Sequence, residues 1–160
     1  MNTWLTWTPL IAASLHMTEE FVWPGGFGGW YRDYRPEIAK SLTNRYLVLI
    51  NAFLLAMCGL CAFLGFTPRG AALFLTITAI LGANGLFHLW ATIRGKRYSP
   101  GVITGIALYA PLAIYSYIAV LNAELATVET AIVSAVMGSS YHWISVANHR
   151  RRSAASVALD

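Results

Sequence analysis

Charge is what this sequence has least of. Only 11% of its 160 residues are Asp, Glu, Lys or Arg, and 57% are hydrophobic; soluble domains carry about 25% charged residues. The deficit excludes an ordinary soluble domain and predicts an integral membrane protein, one domain of several spans. No Lys or Arg precedes Arg32. The amino terminus therefore lacks the basic segment that opens a signal peptide, and the first apolar stretch is expected to be retained. Acidic residues are scarce where they would matter. Only Glu19 and Glu20 lie at one depth in the membrane, too few for a dinuclear iron bundle of four carboxylates and two histidines. The two cysteines fall in Cys58-Gly59-Leu60-Cys61, inside an apolar run with no cationic neighbour to lower a thiol pKa. They read as small packing residues rather than a redox pair, whose test would be a redox-active disulfide. No internal repeat and no low-complexity segment is present.

What the chain does have is a series of long apolar runs. They predict an all-α polytopic bundle of five transmembrane helices over residues 3–22, 44–64, 71–93, 100–121 and 125–146. These form one domain, 1–149, followed by a basic, then polar, cytoplasmic tail over 150–160. Pro9 is expected to kink the first span. The loop from Trp23 to Thr43 is rich in glycine and aromatics; Trp23, Trp30, Tyr31 and Tyr34 suit the headgroup layer, and a lid over a site is the sharper reading. Thr67–Gly70 reads as a turn. Ser99 is expected to cap the fourth helix, with Pro100 at its first position. Gly101 and Gly105 permit close helix contact.

Five spans gather Arg32, Arg35, Lys40, Arg45, Arg94, Lys96, Arg97, Arg150, Arg151 and Arg152 on one face and leave Arg69 alone on the other. The positive-inside rule then puts the amino terminus outside and the carboxy terminus in the cytoplasm, with a bacterial inner (cytoplasmic) membrane as the expected location. A first span that only dips into the bilayer would leave the other four oriented the same way. The arginine-rich ends are topology signals and lipid-headgroup contacts, so no nucleic-acid partner is expected.

Against this apolar background the polar residues stand out. His16, Glu19 and Glu20 end the first span; Asp, Lys or Arg at a membrane-helix centre costs roughly 2.5–3.5 kcal/mol on insertion scales, and ionisable groups within the membrane usually mark a site. His16 lies four residues before Glu20 and three before Glu19, so either pair can converge beside the helix. The odd-numbered spans run in the same direction, and they bring His16, His88 and His142 to one level, about 6–10 Å from the cytoplasmic boundary. Asn84 lies one turn from His88, and Asn51 and Thr104 fall near the same layer. This is a metal-ligand inventory. The plain alternative is a solvated helix end and single histidines bonded to carbonyls. His149, beside three arginines, reads as a wet tail residue.

The sequence resembles the HXXEE family of small integral membrane proteins. The resemblance rests on His16-Met17-Thr18-Glu19-Glu20, on Asn84-Gly85-Leu86-Phe87-His88, an Asn-x-x-x-His element, and on Tyr98-Ser99-Pro100-Gly101, a Tyr-x-Pro-Gly element. It implies a metal-binding or enzymatic protein and supplies no reaction. The residues themselves favour a single divalent metal ion, zinc or iron, held by His16, His88, His142 and Glu20, with Glu20 or Glu19 as general base. Asn51, Asn84, Tyr98, Ser99 and Thr104 would support the ligands or bind substrate. The free backbone N–H groups at Tyr98–Gly101 could hold an anion or a substrate carbonyl. Metal-activated water acting on a small apolar or amphipathic substrate, as a hydrolase, is narrowly favoured. A non-haem iron oxidoreductase is the runner-up, and a metal or proton transporter is the alternative of another class. A polar layer displaced to one side, with apolar outer halves, disfavours transport. Nothing in the sequence sets the oligomeric state.

Overall fold

The computed structural model describes residues 3–157. Every regular element among them is helical. A 3₁₀ segment, Thr3–Trp7, leads into α1, Thr8–Phe21. Short α2 covers Phe27–Tyr34. The long helices are α3, Asn44–Leu64, α4, Pro68–Gly95, α5, Val102–Asn122, and α6, Val128–Val157.

Local chemistry sets these boundaries. Thr43 caps α3 by accepting the Tyr46 N–H at 3.1 Å. Thr67 caps α4 by accepting the Gly70 N–H at 3.1 Å, with Pro68 in the first turn, where its missing N–H costs nothing. Pro9 takes the same place in α1, so the proline expected to kink a helix instead starts one. Ser99 does not cap α5. Gly101 occupies that position with φ of 101°, and the Ser99 hydroxyl is turned to His88. Near its start, α5 widens into one π turn, Gly105–Tyr109.

α4 is the axis, packing against α1, α3, α5 and α6. Small residues let the backbones close on it. A methyl group at Gly85 would stand 2.5 Å from the Gly105 carbonyl oxygen, and one at Gly138 would stand 2.5 Å from Ala79 Cβ. The apolar core lies between α1, α3, α4 and α5, around Ala13, Cys58, Cys61, Phe74, Leu75 and Leu81. Both cysteines are free and fully buried.

Three helices, α3, α4 and α5, are long and apolar enough to cross a membrane, with mean hydropathies of 2.5, 1.7 and 1.6. Large apolar side chains remain exposed along them, Phe63 at 85% and Ile114 at 64% among them. Solvent would penalise such faces and lipid would not. The chain is a helical membrane protein. Expected spans one and five are not among the three: α1 has 14 residues, and α6, although 30 residues long, mixes polar side chains into its length. α6 also runs on through the expected tail as far as Val157; residues 158–160 of that tail lie outside the described residues.

The loop expected to anchor in the headgroups is largely folded inward. Phe27, Trp30 and Tyr31 share one face of α2 and are buried with Ile38, Leu42, Leu47 and Ala91. Trp23 alone of the four aromatics is strongly exposed, at 80%. His149 is likewise not a wet tail residue. It is buried, its Nδ1 lies 2.7 Å from the Ser41 hydroxyl, and the Tyr46 ring packs edge-on against it.

Candidate metal centre

α1 carries the two carboxylates about 100° apart around its axis, and they meet different surroundings. Glu19 faces the start of α5. Its Oε1 accepts the Tyr98 hydroxyl and, at 3.0 Å, the Ile103 N–H. Its Oε2 accepts the Thr104 hydroxyl and, at 2.7 Å, the Thr104 N–H. Four donors fill its acceptor capacity. The free backbone donors of this segment thus hold an anion, and it is the chain's own.

That saturation fixes the polarity of the next links. The single Thr104 hydroxyl proton is committed to Glu19, so the 2.8 Å contact between Thr104 Oγ1 and His16 Nδ1 has the imidazole donating. His16 therefore presents a bare Nε2. Asn84 Nδ2 donates to that nitrogen at 3.0 Å, and Asn84 Oδ1 accepts from His142 Nε2 at 3.0 Å. A carboxylate on α1 orders a hydrogen-bond chain through α5, α1 and α4 to α6. The arrangement resembles the carboxylate-backed histidines of metal sites.

Glu20 faces the interior. Its Oε1 lies 3.5 Å from His16 Nε2 and 3.2 Å from His88 Nε2. His88 Nδ1 is engaged by the Ser99 hydroxyl at 2.9 Å. His88 Nε2 is buried and makes no hydrogen bond, despite its closeness to Glu20. All three side chains are buried, at 1%, 5% and 0% exposure for His16, Glu20 and His88. Their ligand atoms lie within 4.8 Å of one another. Ligand atoms around a tetrahedral ion with bonds near 2.0–2.1 Å stand about 3.3 Å apart. Two of the three separations here, 3.5 and 3.2 Å, are close to that spacing.

Aromatic rings and one glycine shape the enclosure. Tyr109 packs against His16 with ring centroids 4.3 Å apart, while Phe27 and Trp30 lie 5.6 and 6.2 Å from His88. α2 thus covers the group. Gly101 sits between the imidazoles: a methyl group there would come within 2.8 Å of His16 Cε1 and 2.9 Å of His88 Cε1. Its positive φ adds a second demand for glycine.

The sequence counted three histidines as ligands. The structure groups two of them with Glu20, and His142 reaches the group through Asn84. Asn51 donates to the Leu47 carbonyl at 2.9 Å and lines a cleft that also exposes Glu20. Tyr98 and Thr104 hold Glu19, and Ser99 holds His88. Sequence reasoning missed Tyr109, Phe27 and the burial of His149. A signal existed for two of them. Phe27, Trp30, Tyr31 and Tyr34 have the spacing of one helical face, and Tyr141, Ser145 and His149 recur every four residues past the expected end of the last span.

A model of the family described as "protein of unknown function with HXXEE motif" matches residues 7–116. The chain belongs to this family. The HXXEE match takes in His16, Glu19, Glu20, Asn84, His88, Ser99 and Thr104, and leaves out His142. No curated protein and no solved structure matches the chain.

Proposed function

We propose that this HXXEE protein is a metal-dependent membrane enzyme whose His16, Glu20 and His88 hold one divalent ion, zinc or iron. One observation carries the reading. His88 Nε2 is buried without a hydrogen bond and stands with His16 Nε2 and Glu20 Oε1 at ligand spacing. Asn84 already donates to His16 Nε2, which leaves a buried carboxylate facing two imidazole nitrogens, a costly grouping unless a cation or proton lies among them.

A bound ion would supply Lewis acidity for activating water or, as iron, oxygen. The favoured chemistry is hydrolysis of a small apolar or amphipathic substrate. Glu19 has no acceptor capacity left for use as a base; its work is to hold His16 with Nε2 bare. Asn84 donates to that nitrogen, and its amide would have to give up this hydrogen bond if His16 held an ion. His142 donates through Nε2 to Asn84, so its Nδ1 is the nearby acceptor for a proton. Iron-dependent oxygen chemistry is the second reading, favoured by a donor set of two imidazoles and one carboxylate. Metal analysis of protein purified without added metal decides between them: one zinc per chain, with turnover indifferent to dioxygen, is the expected result. Iron with dioxygen-dependent turnover selects the second reading, and absence of any stoichiometric metal sinks both.

We place the enzyme in a bacterial inner membrane with five spans, the amino terminus outside and the carboxy terminus cytoplasmic. The Thr3–Trp7 segment and α1 together rise roughly 31 Å, enough for a hydrocarbon core of about 30 Å. The ten-to-one division of basic residues sets the direction. A reporter fused after Asp160 should work only as a cytoplasmic reporter; activity on the other side of the membrane would reverse the orientation.

A further inference from the structure

Beside the triad, a cleft of about 240 Å³ opens between α3 and α6, with α4 as its floor. Glu20, Asn84 and His142 stand in its wall. Toward the start of α3 its lining is polar yet uncharged, with Tyr46, Asn51, Tyr141 and Ser145. The Tyr46 and Ser145 hydroxyls lie 3.4 Å apart. In the other direction the lining is apolar, through Phe53, Leu54, Met57, Leu73 and Ile77. Among the described residues, neither Lys nor Arg lines the cleft, and Glu20 is its one charged group. The Arg152 guanidinium lies over the Tyr46 ring at 5.9 Å and is not part of the lining.

We infer that this cleft takes a neutral, single-chain amphiphile: a hydroxyl or carbonyl oxygen at the Tyr46–Asn51–Tyr141–Ser145 end, beside Glu20, with an alkyl chain laid along α3 and α4. Charge decides the head. A carboxylate or phosphate would lose its hydration next to Glu20 with no cation in the wall to replace it. An uncharged oxygen finds hydroxyl and amide partners there instead. The lining decides the tail, because Phe53, Leu54, Met57 and Leu73 give the same cleft an apolar half. A larger groove of about 860 Å³, between α5 and α6, includes Arg35 and Trp90 but does not reach Glu20; it is the poorer route to the triad.

This inference rests on the triad being the reactive centre for its catalytic meaning, but occupancy of the cleft does not require metal. The test uses a diazirine-bearing long-chain alcohol and the matching fatty acid as photoprobes on the full chain in lipid nanodiscs, with metal stripped by chelation and again after zinc loading. The alcohol should label segments 44–57, 73–84 and 141–149 at least tenfold more than the acid in both states. Excess unlabelled alcohol should abolish the labelling. Ile50→Trp, which fills the cleft at a half-buried position away from the triad, should also abolish it while zinc stoichiometry stays at the wild-type value. Stronger labelling by the acid, labelling outside these segments, or no competition by unlabelled alcohol overturns the inference. Zinc content, read on the same samples, bears only on the catalytic reading.

Discussion

Phe74, Leu75 and Cys58 in the apolar core and His16, Glu20 and His88 in the polar layer are buried to the same degree, but burial costs them differently. In the apolar core each side chain is at home alone, and its neighbours add dispersion and exclude water or lipid headgroups. In the polar layer no side chain is at home alone. His16 is supported through Thr104 by Glu19, His88 by Ser99, and Asn84 by both His16 and His142. The first region degrades gradually as atoms are removed; the second holds as a completed network or leaves unpaired polar groups. Four sets of variants break or sharpen that contrast.

The largest effect belongs to the triad. If the proposed ion is bound, His16→Ala and His88→Ala should each reduce bound metal from one equivalent to near zero and lower thermal stability with it, since coordination would replace the hydration these groups have lost. His142→Ala should retain metal, because His142 reaches the triad only through Asn84. Mass-spectrometric metal analysis reads all three, and full metal in both triad variants would leave the polar layer as helix-to-helix hydrogen bonding alone. Next comes the apolar core. Phe74→Ala should cost about 3–5 kcal/mol of stability, read by thermal or denaturant unfolding in detergent, with metal per folded chain unchanged. Lost metal in the folded variant would mean the two regions are not separable. Third, Glu19→Gln should weaken metal affinity by about 10–100-fold, the usual cost of losing a group that supports a ligand. Titration with a competing chelator measures it, and unaltered affinity would break the link through Thr104. The smallest effect is expected for Cys58→Ala with Cys61→Ala, about 1 kcal/mol of packing and no change in turnover. Turnover lost from a folded, metal-replete double variant would restore the thiol chemistry.

Much of this arrangement was legible in the sequence. The charge deficit gave the membrane character. Polar residues standing in apolar runs gave His16, Glu19, Glu20, Asn84, His88 and Thr104, because hydrocarbon makes each of them conspicuous. That His16, His88 and His142 come to one neighbourhood was legible as well, since rise per residue is fixed. Rotation about the helix axis was not. His142 has the right level, yet its side chain meets Asn84 and not the triad, and level alone says nothing of that. Phe27 and Trp30 look like headgroup anchors by composition, and only their shared face argues for a cover over His88. Of the two expected spans outside the three long apolar helices, α1 is short, at 14 residues, and α6 mixes polar side chains into its length.

The π turn at Gly105–Tyr109 has an effect on how the chain can vary in length. Its i→i+5 bonding accommodates one more residue per turn than an α-helix does. A chain lacking one residue there could close the turn as ordinary helix without losing a hydrogen bond. The wide turn spends its extra residue within the same arc, so the helix beyond it would keep nearly the same phase relative to the Ile103–Thr104 end that grips Glu19. The change would be local: the place now held by Tyr109, 4.3 Å from the His16 ring, would pass to a different side chain. Length in this stretch is therefore free for the rest of α5 and felt at the site alone.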